Sequence, residues 1–301
     1  MGFILDPLYK FVSGIMIGIH KLVSPLFGEN SGVTWTISIM GLVVLIRVIL
    51  IPLFVKQIKS QRAMTALAPK MKEIQKKYKD DRQKQSEEMM KLYKEHKTNP
   101  LASCFPILAQ APVMFALFTV LNGIAAKKEH GFMTMDYIRS ASGAKFLGAP
   151  ISETFLKTDI TTVKIVTLIL IAFMSATTFT TQKQLMTKGM PKVDPSNNMM
   201  LQQQKIMLYA FPVIFAISGV NFPVGVLIYW STTNLWTWGQ QYYVIKRNPA
   251  PGSPAFEELQ HKKARKAKER GEVIENTTES TEEAPQVGQR QQPKKAKKKK
   301  K

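Results

Sequence analysis

The chain has 301 residues, 45% of them hydrophobic, and carries a formal net charge of +21 from 42 basic and 21 acidic residues. Its mean hydropathy of −0.08 averages long apolar stretches with a lysine-rich remainder; the stretches exclude a disordered basic protein and the remainder an ordinary soluble domain. A single cysteine, Cys104, and four scattered histidines (His20, His96, His130, His261) exclude a disulfide framework and a clustered cysteine or imidazole metal site.

Residues 1–30 contain a nine-residue apolar run, Phe11 to Ile19, flanked by Lys10 and His20-Lys21. That is too short to cross a bilayer. The segment is read as an interfacial amphipathic helix, and it shows neither a small-residue cleavage site nor a lipid-acceptor cysteine. Residues 31–55 hold the first span, whose apolar part from 33 to 55 is 23 residues with one charge. At 1.5 Å per residue it reaches about 34 Å, against a hydrocarbon core of about 30 Å.

From 56 to 99 the pattern becomes amphipathic. Met64, Leu67, Met71, Ile74 and Tyr78 step by three and four along one helical face, Asp80-Asp81 interrupts, and Met89, Met90, Leu92 and Tyr93 begin a second face that ends before Asn99-Pro100. A helical hairpin is predicted. Residues 100–247 hold four more spans: Leu101 to Ala126, 164–182, and two within 206–244 that meet at Gly219-Val220-Asn221-Phe222-Pro223. From 248 to 301 the composition is that of a disordered basic tail, with seven lysines in the last eight residues. The predicted fold is therefore an all-α integral membrane protein with five transmembrane helices, a cytoplasmic helical hairpin and a hydrophilic groove open to the cytoplasm.

Basic residues set the orientation. Thirteen Lys and Arg lie between 56 and 97, four between 183 and 205 and sixteen after Ile245, against Lys10, Lys21 and five between 127 and 157 on the other side. Positive residues stay inside, which places the amino terminus outside and the carboxyl terminus in the cytoplasm of a multi-pass membrane protein. Trp35 would mark the outer interface, and Trp236, Trp238, Tyr242 and Tyr243 the inner one.

Arg47 is the residue that points to function. An arginine within a span costs at least about 2.5 to 3.5 kcal/mol, and it faces a partner, water or the interface. None of the five spans contains Asp, Glu or His. Snorkelling over about 12 Å to the headgroups is one resolution. The other is a wet cavity, favoured by polar residues at the same depth: Ser103 and Gln110 in the second span, Ser175, Thr177, Thr178, Thr181 and Gln182 in the third, and Ser231, Thr232, Thr233, Asn234 and Thr237 in the fifth. Taken singly, such Ser and Thr residues usually bond back to their own helix. A hydrated cationic cavity would lower the cost of bringing polar or acidic peptide into the lipid layer.

Several runs resemble the YidC/Oxa/Alb family of membrane protein insertases: Arg47 followed by Pro52-Leu53, then KSQRAMTALAPKMKEIQKKY, EMMKLYKEHKTNPLASCFPILAQAPVMFALF and FPVGVLIYWSTTNLWTWGQQ. The resemblance covers about residues 30 to 247. It implies a five-span core, a groove that holds the arginine, and insertion and folding of newly made membrane proteins, alone or with the Sec translocon. The groove arginine carries over to Arg47, the substrate-facing aromatic pair to Tyr229 and Trp230, and the third span offers Thr178 and Thr181. The chain lacks the large extracytoplasmic domain of the Gram-negative members.

The expected function is an insertase and chaperone, not an enzyme: Arg47 attracts acidic parts of the incoming chain, Gln110, Thr178, Thr181 and Asn234 keep the groove hydrated, and Tyr229 and Trp230 touch the apolar segment. No P-loop, triad or metal-ligand spacing calls for a cofactor. Expected partners are nascent membrane proteins with acidic translocated regions, the ribosome through the lysine-rich tail, the Sec translocon and anionic lipids. Two rivals stay open, an anion channel or solute carrier using Arg47 as a selectivity charge, and a passive membrane tether for ribosomes.

Overall fold

In the computed structural model, residues 2–96, 98, 105–191 and 198–270 are described, and almost all of them are helical. The order is α1 (Gly2–Phe27), α2 (Gly32–Ile49), α3 (Ile51–Ala66), α4 (Ala68–Lys77), α5 (Arg82–Glu95), α6 (Phe105–Ala126), α7 (Met135–Gly143), a two-residue hairpin β1 (Lys145–Phe146) and β2 (Ala149–Pro150), α8 (Thr161–Gln184), α9 (Asn198–Gly219), α10 (Val224–Arg247) and α11 (Pro254–Glu269). The fold is all-α, and residues up to Leu259 form one compact unit.

The apolar stretch 33–55 is two helices. Ser31 caps α2 by accepting a 3.2 Å hydrogen bond from Val33 N, and the helix stops at Leu50. The reason is Pro52, which has no N–H to offer the carbonyl of Val48, so the chain kinks there and continues as α3. Arg47 thereby sits in the last turn of α2, where the negative end of the helix dipole favours a cation. In the α9–α10 region the predicted break holds: Asn221 N and Phe222 N bond back to Ser218 O and Gly219 O, and Pro223 opens α10.

One end of the bundle is capped. Trp35 is fully buried there, donating through Nε1 to Ser140 Oγ of α7 at 3.0 Å, so it is a core residue rather than an interfacial belt residue. A Cβ on Gly32 would collide with the carbonyl of Lys145, which is why glycine starts α2. The segment before α8 satisfies the first amides of α10: Val224 N bonds to Glu153 O at 3.0 Å and Gly225 N to Ile151 O at 2.8 Å. At the other end, Trp238 and Tyr242 stack with both rings substantially exposed.

Helix α1 is far longer than its nine-residue apolar run suggested, and Leu5–Phe27 is long and apolar enough to cross a membrane, as are Gly32–Ile49 and Thr161–Gly189. Its buried stripe is Val12, Ser13, Met16, Ile17 and His20. Tyr9 meets His130 at 5.3 Å, Ser13 Oγ accepts from Phe132 N at 2.8 Å, and His20 lies 4.3 Å from Trp35. All of these partners belong to the capped end. A helix running antiparallel to α2 would instead carry Tyr9 about 27 Å away from its own C-terminus along the bundle.

The predicted hairpin is present. Leu67, Leu92 and Tyr93 form a small core of their own with Met64, Met71, Ile74 and Met89 around it, and Asp81 caps α5 by accepting from Lys84 N at 3.0 Å. The expectation of disorder from 248 onward fails for Pro254–Glu269, which form α11 with Ser253 Oγ accepting from Phe256 N at 3.3 Å. The Asn99-Pro100-Leu101 motif with Ser103 and Cys104, and the terminal lysine run, lie outside the described residues.

Candidate functional site

The polar side chains of α10 divide by helical face. Tyr229, Thr233 and Thr237 are one turn apart and share a face; Trp230 and Asn234 share the next. The first face meets α2 and α6 around Arg47.

Arg47 is half-buried. Its Nη2 donates to Thr237 Oγ1 at 3.2 Å, and Thr237 Oγ1 in turn donates to Thr233 O at 2.8 Å, so the hydroxyl's proton is committed and its lone pairs face the cation. The guanidinium carbon stands 5.6 Å from the centroid of Phe54 on α3, a cation–π distance. Among the described residues no carboxylate pairs with it.

Arg47, Gln110 and Tyr229 line one small cavity with Val43, Ile46, Val113, Leu117 and Thr233. Its volume is about 10 Å³, room for about one water. Gln110 Oε1 is buried there without a hydrogen-bond partner, and Thr233 Oγ1, a turn from Tyr229, is buried without a well-formed one. Two such acceptors beside a cation make a site that a water or an incoming polar group would satisfy. The cavity lies where the sequence placed a hydrophilic groove, and it is small.

The other predicted residues fall elsewhere. Asn234 Nδ2 donates to Thr178 Oγ1 at 3.3 Å, joining α10 to α8 on the neighbouring face. Thr181 Oγ1 donates to Thr177 O of its own helix at 2.7 Å, the local bond a helical threonine commonly makes. Trp230 does not accompany Tyr229 into the cavity, because side chains at i and i+1 project about 100° apart on a helix. It packs edge-on against Phe222 at 4.9 Å and Phe215 at 5.9 Å instead. Sequence reasoning passed over Phe54 and gave Thr237 no special role. The signal for Thr237 was its spacing of four from Thr233 and eight from Tyr229.

Around this site the bundle wears an apolar coat: Ile165, Leu168 and Ile169 on α8 and Val213, Ile214 and Ile217 on α9 are all more than half exposed. Such a surface is stable against lipid, not water.

The family model for the 60Kd inner membrane protein matches residues 26–251. The membrane protein insertase YidC of Streptomyces avermitilis is 53% identical over 254 residues, covering 81% of this chain and 59% of that protein. Those of Tropheryma whipplei and Mycobacterium tuberculosis are 36% identical over 270 residues and 32% over 273, covering 84% and 81% of this chain and 87% and 73% of the respective proteins. The chain thus spans less than two thirds of the Streptomyces relative. An all-α bundle with apolar faces turned outward, an arginine held inside it and these matches along most of its length lead to one assignment: the chain belongs to the 60Kd inner membrane protein family, the YidC/Oxa/Alb family its motifs resemble, and is a multi-pass membrane protein.

Proposed function

We propose that this protein inserts newly made membrane proteins into the bacterial plasma membrane and helps them fold, alone or with the Sec translocon. The observation that carries the proposal is Arg47 beside the buried, unpartnered Gln110 Oε1 with no carboxylate in reach among the described residues. A buried cation with spare donors is poised for an acidic or polar segment that arrives and leaves; a resident structural pair would have its partner built in. The small cavity is the closed form of a hydrophilic groove that opens toward the cytoplasm as α2, α6 and α10 part around the incoming chain. Arg47 draws acidic segments inward. Tyr229 and the Thr178–Asn234 pair line their route, and the exposed faces of α8 and α9 lead apolar segments sideways into lipid.

The capped end lies outside and the end bearing α4, α5 and the last turns of α10 lies in the cytoplasm, in keeping with the basic residues around them. Helix α1 rests along the outer interface, supported by its contacts with the capped end at Tyr9, Ser13 and His20. The hairpin and the lysine-rich tail receive ribosomes and nascent chains.

Photo-reactive phenylalanine placed at Tyr229 or at Thr178 tests the route, with Ile169 on the lipid-facing surface as a control. Nascent membrane proteins stalled on ribosomes should crosslink from the two inner positions early in insertion. Crosslinks from Ile169 alone would overturn the route.

A further inference from the structure

Helix α11 takes no part in the Arg47 cavity, yet its start is firmly placed. Ser253 is fully buried, and Gly252, at φ +73°, turns the chain where an added Cβ would touch Pro191 at 3.9 Å. Only residues 248–253 separate α11 from α10, a reach of at most about 25 Å. The helix therefore begins near the C-terminal end of α10.

Its charge is unevenly spread. Glu257 and Glu258 occupy the first turns, where the helix dipole favours acids. From Gln260 to Arg270 there are six Lys and Arg against Glu269 alone. At 100° per residue, Phe256, Leu259, Ala264 and Ala267 fall within less than half of the circumference. A short-tethered helix with a small apolar stripe and basic flanks matches the interface of an anionic leaflet.

We propose that α11 lies on the cytoplasmic membrane surface and binds anionic lipid headgroups, its apolar stripe toward the acyl chains and its lysines and Arg265 on the phosphates. RNA would also attract these charges, but it offers nothing to the apolar stripe and does not require a short tether. The inference rests on the orientation given above and is independent of insertase activity, because lipid alone supplies the ligand.

The test uses the full chain in nanodiscs, with Cys104→Ser and Ala267→Cys labelled by an environment-sensitive fluorophore. In discs containing phosphatidylglycerol the probe should be shielded from an aqueous quencher, and added salt should expose it again. In discs of phosphatidylcholine alone it should be freely quenched. Neutralising Lys262, Lys263, Arg265 and Lys266 to Gln keeps helix propensity, and should lower the ratio of surface-bound to free helix by about fivefold per charge. Equal quenching in both lipids would overturn the proposal. So would shielding that appears only when ribosomes or RNA are added, which would assign the helix to RNA. Insertion activity measured on the same samples reads the insertase proposal separately.

Discussion

Replacing Arg47 by Ala removes a cation whose stabilising and destabilising contributions nearly cancel. The hydrogen bond to Thr237 contributes about 1.5 to 3 kcal/mol as a charged donor, and the Phe54 ring adds about 0.5 to 2 kcal/mol. Against this stands the cost of an arginine at depth, about 2.5 to 3.5 kcal/mol. The variant should therefore fold, with a melting temperature within a few degrees of the parent. Its effect on a passing carboxylate is larger. A pair 4 Å apart at an effective dielectric of 20 interacts by about 4 kcal/mol, and by about half that at 8 Å. Water in the opened groove reduces both, leaving a loss of about tenfold or more in insertion of an acidic segment. The assay is insertion into proteoliposomes, read by protease protection, of substrate pairs that differ only in Asp and Glu against Asn and Gln in the translocated segment. The acidic member should lose most and the neutral member little, while Arg47→Lys keeps most activity. Equal loss for both members in a folded variant would refute the electrostatic reasoning, as would no loss for either.

Thr237→Val keeps shape but removes the acceptor that orients the guanidinium, and should lower insertion of acidic substrates severalfold, less than Arg47→Ala does; Thr237→Ser should restore it. Gln110→Leu removes a buried oxygen that has no partner. It should leave thermal stability unchanged or raise it by about 1 kcal/mol, yet slow insertion, measured on the same proteoliposomes. Gly32→Ala drives a methyl group into the Lys145 carbonyl; it should destabilise the capped end by several kcal/mol, visible as a lower melting temperature and earlier proteolysis between α7 and α8.

Much of the architecture was legible because lipid imposes a simple rule: a chain must bury its amides in helices about as long as the apolar layer is thick. The α9–α10 turn was announced by Gly219 to Pro223, and the α4–α5 hairpin by the spacing from Met64 to Ile74. Sequence periodicity did not reveal where α2 ends, because the apolar run resumes after Arg47 and passes through Leu50 while the backbone responds to Pro52. Trp35 misled for a related reason. An amphipathic ring suits either a headgroup layer or a buried pocket with one acceptor, and only the fold brings Ser140 to it. In the site, Arg47 and Gln110 were singled out by residue type and depth, and Tyr229 by the family resemblance; that the three line one cavity was not legible. Trp230 and Thr181 were not separable from them, since depth fixes height along a helix but not azimuth.

The ties at the capped end have a mechanical consequence. With the first amides of α10 fastened to Glu153 and Ile151 and the start of α2 wedged against Lys145, these helices separate most easily at their far ends, like tongs hinged at the top. Under the proposed function, an incoming polypeptide parts the jaws below while the hinge above stays shut.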